Sequence, residues 1–79
     1  SISLYRFQNL VNLEDELKEH EAYIRDTIEF FQKAKETLNI AEPFSKDNDL
    51  IDNMLHDLDQ LHKHTEKMQK NLEETKNSK

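Results

Sequence analysis

Glycine, cysteine and tryptophan are absent from this 79-residue chain, and Pro43 is its one proline. The lack of glycine argues against Gly-dependent turns, P-loops and dinucleotide-binding turns, which need positive φ or close backbone approach to a phosphate. Without cysteine there is no disulfide framework, no cysteine-based zinc finger and no thiol nucleophile. The lack of cysteine also favours an intracellular, cytoplasmic setting. Basic residues are outnumbered, 11 Lys and Arg against 17 Asp and Glu, for a net charge of −6. Such a chain repels nucleic-acid phosphates and anionic headgroups, so no nucleic-acid partner is expected. No apolar run approaches the ~20 residues of a membrane span, and no signal-peptide core is visible, so no membrane insertion is expected. The chain starts at Ser1 rather than at a methionine, and we read it as a fragment of a longer protein.

What is present is charge and helical periodicity. Charged residues make up 35% of the chain and apolar ones 34%, the composition of long helices with much exposed surface. The one break lies around Pro43, which disfavours helix at Glu42 and cannot extend one itself. The pattern predicts helix 1 over about 4–39, a turn over about 40–46 and helix 2 over about 47–75, all in one module spanning 1–79. Ser45, Asp47, Asn48 and Asp49 offer caps and dipole partners for the second helix.

Both helices carry a heptad. In helix 2, Ile51, Met54, Leu58, Leu61, Thr65, Met68, Leu72 and Thr75 alternate steps of four and three. Helix 1 places Leu10, Leu17, Ile24, Phe31 and Leu38 at position a, and Leu13, His20, Thr27 and Ala34 at position d. Folding the chain back at Pro43 sets Leu38 against Met54, Phe31 against Leu61, Ile24 against Met68 and Leu17 against Thr75. Thr27 and Thr65 then share a layer, and Lys33 and Lys35 come level with Asp59 and Asp57. The expected fold class is all-α, a two-helix antiparallel coiled-coil hairpin that assembles further into a four-helix bundle.

A lone hairpin of this design leaves apolar residues uncovered. Leu4, Phe7, Leu10 and Val11 lie on the longer helix 1 beyond the end of helix 2. Tyr23, Ile28, Phe30 and Leu55 lie beside the seam, in a stripe wider than a two-helix contact covers. These eight are the candidate partner-binding residues, with Phe30 and Phe31 as candidate hot spots. Phe44 is expected to fold back near Leu38 or Leu50.

Chemistry finds little support. None of His20, His56, His62 and His64 has a second histidine at i+3 or i+4, the spacing that lets two imidazoles share a metal. His20 is of interest only as a pH-sensitive layer of the seam. The acidic clusters Glu14–Glu16, Glu19/Glu21 and Asp47/Asp49/Asp52 lie mostly off the seam, and the chain has no Glu-x-x-His motif of the di-iron bundles. Small helical chorismate mutases hold their dicarboxylate substrate with several arginines, whereas only Arg6 and Arg25 occur here. The expectation is a non-enzyme with no catalytic, cofactor-binding or metal residues. Its function would be homo- or hetero-oligomerisation through helix packing within a scaffold complex. Two other readings are a regulatory adaptor that binds a peptide helix and a continuous parallel coiled-coil rod kinked at Pro43.

Overall fold

The computed structural model describes residues 1–78, and Lys79, the last residue of the expected 1–79 module, lies outside them. The described residues form two helices and no strand: α1, Leu4–Ala41, and α2, Asp47–Lys76. Each runs slightly past its expected end, α1 by two residues and α2 by one. The two helices pack against each other, and the longest dimension of the molecule is 57 Å. A continuous rod kinked at Pro43 would instead reach roughly 110 Å and would leave the helices without mutual contact.

Helix ends follow from local hydrogen-bond chemistry. Ser3 has extended backbone angles, and its hydroxyl oxygen accepts the Arg6 N–H at 3.2 Å, which satisfies one of the free donors of the first turn. At the other end of α1 the Glu42 N–H donates to the Leu38 carbonyl at 2.7 Å. Pro43 then blocks continuation, and the Ser45 N–H closes a four-residue turn onto the Glu42 carbonyl at 3.1 Å. Proline suits the second position of such a turn because its ring presets φ. The Ser45 hydroxyl accepts the Asp47 N–H at 3.1 Å, and the Asn48 side-chain amide reaches back to the Glu42 carbonyl at 3.3 Å. Asp47 and Asp49 in the first turn of α2 and Lys76 in its last turn complement the helix dipole.

Cross-helix contacts between polar side chains show the relative direction of the two segments. Lys35 pairs with Asp52, Glu21 with His62 at 3.7 Å, and Glu14 with Lys76 at 3.0 Å. Each step toward the start of α1 is a step toward the end of α2. The expected lysine–aspartate layers are replaced: Lys35 takes Asp52, and Asp59 pairs within its own helix with Lys63 at 3.1 Å.

The packed line differs from the heptad seam in one consistent way. The a columns are where the pattern puts them, with Leu17, Phe31 and Leu38 half-buried and Ile24 buried in α1. On α2, Ile51, Leu58 and Leu72 are half-buried and Thr65 is buried. The second column, however, is shifted from d to e in both helices. In α1 it consists of Glu14, Glu21, Ile28 and Lys35, and in α2 of Leu55, His62, Gln69 and Lys76, none of them exposed. Met54, Leu61 and Met68, expected in the seam, remain 43%, 48% and 49% exposed. Hydropathy alone favours d, but the e columns bring Glu14 to Lys76 and Glu21 to His62 across the two helices, and Lys35 reaches Asp52 beside them. Thr27 and Ala34 keep intermediate positions, so α1 is covered more widely than α2.

This contact makes a thin core. Among the apolar side chains of the described residues Ile24 alone is buried, at 5% exposure. The buried Thr65 hydroxyl donates to the Leu61 carbonyl at 2.9 Å, and Thr27 donates to the Tyr23 carbonyl at 2.8 Å. Each seam threonine is thus satisfied within its own helix and needs no partner across the layer.

Candidate functional site: an apolar side opposite an ionic side

Seen down a helix from its N-terminus, position d lies about 60° to one side of a and position e about 40° to the other. With packing centred between a and e, the d column is rotated by about 80° from the contact line. Because the two segments run in opposite order along the ion pairs, both d columns fall on the same side of the plane through the helix axes. Leu13, Ala34, Met54, Leu61 and Met68 therefore share one side of the molecule. Tyr23 and Phe30, at position g of α1, extend the same side outward and are 70% and 65% exposed.

Phe30 does not hang free. Its ring stands edge-to-face on Phe31, with centroids 5.2 Å apart and planes at 80°. That arrangement is favoured by the aromatic quadrupoles, and it ties an exposed ring to a half-buried one. Beside Phe30 a shallow groove is lined by Lys33, Ala34, Thr37, Leu38 and Ala41. A second depression lies between Tyr23, Asp26, Thr27, Phe30 and Phe31. Depressions flanked by projecting aromatics are what a helix needs in order to seat its own side chains.

The opposite side is ionic. It holds Lys35–Asp52, Arg25–Glu21 at 3.8 Å, His62 Nε2–Glu66 at 2.8 Å, and the group formed by Glu14, Glu73 and Lys76. In that last group Lys76 lies 3.0 Å from Glu14 and 3.3 Å from Glu73. Hydrogen bonding with Glu14, and then with Lys76 and Asn77, holds the Glu73 carboxyl below its ordinary range. Hydrogen bonding with Glu14 raises Lys76 above its ordinary range, against a smaller opposing effect of burial.

The sequence-derived contact residues divide between these surroundings. Leu4 is 83% exposed and Phe7 is 37% exposed, while Leu10 and Val11 are half-buried just before the level at which Lys76 reaches Glu14. Tyr23 and Phe30 lie on the apolar side. Ile28 and Leu55, expected beside the seam, are half-buried members of the e columns and line the contact between α1 and α2. His20, expected as a seam layer, is exposed in a depression with Glu16, Glu19 and Tyr23, because the d column is rotated outward. Phe44, expected to fold back, is 99% exposed at the third position of the turn.

Sequence reasoning missed two features. It placed Met54, Leu61 and Met68 inside the seam, where their spacing fits as well as that of the residues actually packed. It also compared the histidines only with one another, although Glu66 stands at i+4 from His62. Among the described residues no helix is long and apolar enough to cross a membrane. Searches against protein-family models, curated proteins and solved structures return no match for this chain, so its own residues carry the functional reading.

Proposed function

We propose that the chain is an antiparallel coiled-coil hairpin that acts as an assembly module, docking helices of another chain on its apolar side. The observation that carries this reading is the segregation of surfaces: cross-helix ion pairs on one side, and Leu13, Tyr23, Phe30, Met54, Leu61 and Met68 exposed on the other. A helix at the centre of a bundle presents three columns of its heptad, whereas a two-helix contact covers only two. Here a and e are used within the chain, and d is available to a partner. A second copy is the simplest partner, because two such sides meeting about a twofold axis give a four-helix bundle.

Magnitudes favour a partner that brings an equally apolar side. Completing the burial of six half-exposed side chains gains on the order of 1 kcal/mol each. That sum only matches the low end of the cost of association, about 4–15 kcal/mol. Two such faces meeting double the gain. The same surface accommodates a regulatory adaptor role, in which one amphipathic peptide helix lies along the Phe30 groove.

Sedimentation equilibrium over a range of concentrations, on the wild-type chain and on the double variant Phe30→Asp/Leu61→Asp, tests the reading. A dimer or tetramer that becomes a monomer in the variant is expected. A wild-type chain that stays monomeric and fully helical at every concentration removes self-assembly, and leaves the adaptor role only if added amphipathic peptide binds.

A further inference from the structure

On the ionic side, three potential ligands from both helices converge at one point. His62 and Glu66 are one turn apart on α2, at i and i+4, and Glu21 faces them from α1. The His62 Nε2 atom lies 2.8 Å from Glu66 Oε1, and its Nδ1 atom lies 3.7 Å from Glu21 Oε1. Taking one ligand atom from each residue, all three lie within 4.8 Å of one another. The Glu21 and His62 side chains are mostly buried, at 15% and 25% exposure, while Glu66 is the outer, movable member.

A second observation concerns the ring itself. His62 Nδ1 is enclosed and has no hydrogen-bond partner. An enclosed imidazole nitrogen without a partner is unfavourable, and it is also a lone pair available to a cation. We propose that Glu21, His62 and Glu66 bind one divalent cation of the zinc class and so clip α1 to α2.

The ligand set selects the class. One imidazole with two carboxylates suits zinc and its transition-metal neighbours, whereas calcium and magnesium prefer six or more oxygens. Zinc bonds of about 2.0–2.2 Å place tetrahedral ligands about 3.3 Å apart, so the longer separations in the cluster have to contract modestly around the ion while the 2.8 Å His62–Glu66 contact opens. Glu66 supplies most of that movement, and a small turn of the His62 ring directs one nitrogen at the shared centre. The fourth position falls to water. Arg25 is the competing cation. Its guanidinium is 3.8 Å from Glu21, at the long limit of an ion pair, and two-thirds exposed, so it can swing into solvent as the metal enters. The clip lies opposite the apolar side, so loading it strengthens the hairpin without occupying the surface proposed for assembly.

The test is calorimetric titration of the full chain with zinc chloride at neutral pH, together with thermal unfolding by circular dichroism. One zinc per chain and a higher melting temperature are expected, with no response to magnesium at the same concentration. His62→Asn and Glu21→Gln are expected to weaken zinc binding by about tenfold or more. His64→Asn and His56→Asn should leave it unchanged. Because His62→Asn removes a packed side chain, the outer variant Glu66→Gln supplies a check in a fold left intact. Weakened zinc affinity with unchanged metal-free helicity supports the clip, and unchanged affinity overturns it. The proposal is also overturned if zinc does not raise the melting temperature, if His62→Asn binds like wild type, or if zinc binds only by joining two chains in sedimentation.

Discussion

The Glu14 carboxylate lies 3.0 Å from the Lys76 ammonium, joining the first part of α1 to the last turn of α2, and Glu73 contacts the same ammonium at 3.3 Å. This group marks where the paired part of the molecule ends and the overhang of α1 begins.

Its pH dependence has a definite sign. Glu73 is held below the ordinary carboxylate range, so its contribution is present above that range and is lost as pH falls through the depressed value. Lys76 is raised, so its contribution is present below the ordinary lysine range and is lost as pH rises through the raised value. Between about pH 5 and pH 10 neither group is expected to change stability. Amide protection factors in the last two turns of α2, which remove the intrinsic pH dependence of exchange, should be flat across this window and lower beyond each end. Lower protection confined to the middle of the window contradicts the assignment. Lys76→Met is expected to lower the melting temperature more than Glu14→Gln, because it leaves a buried carboxylate without its cation.

Ile24 is the one buried apolar side chain among the described residues, so the packing of the two helices is unusually dependent on it. Ile24→Ala is expected to cost about 2–4 kcal/mol. Urea unfolding followed by circular dichroism measures this, and a cost as small as that of a surface substitution places the core elsewhere.

Thr65 is buried, with its hydroxyl bonded to a carbonyl of its own helix. Thr65→Val keeps the shape and removes a donor whose acceptor already serves the helix ladder. The change should alter stability by no more than about 1 kcal/mol, in either direction. A larger loss in chemical denaturation means that the hydroxyl serves a contact between the helices or between chains.

The two sides of the molecule should respond differently to charge. Leu61→Lys on the apolar side is expected to reduce assembly mass while leaving monomer helicity intact. Lys63→Glu, at an exposed position paired with Asp59, is expected to change neither by a measurable amount. Light scattering coupled to size exclusion distinguishes them, and equal effects of the two variants end the two-sided description.

The overhang supplies a separate test. Leu4 and Phe7 are exposed before the level of Lys76, and Leu10 is half-buried. Phe7→Asp/Leu10→Asp should weaken assembly with little change in the melting of the paired region. Unchanged assembly assigns the overhang no part in partner contact.

Much of the architecture was legible in the chain itself. A glycine-free sequence with one proline leaves one place to interrupt a helix, and Pro43 sits in the turn that does so. The spacing of Leu17, Ile24, Phe31 and Leu38, and of Ile51, Leu58 and Leu72, identified the first column of the contact on each helix. That column follows from burial of apolar area, which heptad spacing encodes directly.

The second column, and with it the candidate binding side, was decided only by tertiary structure. Positions d and e flank a almost symmetrically, so periodicity cannot choose between Met54, Leu61 and Met68 on one flank and Leu55, His62 and Gln69 on the other. The two columns differ in what the other helix brings to them, and Glu14, Glu21 and Lys35 meet Lys76, His62 and Asp52 only in the packed pair of helices. In that packing the methionines and Leu61 lie outward. They also place Glu21 beside His62, a neighbour that no spacing within one helix reveals.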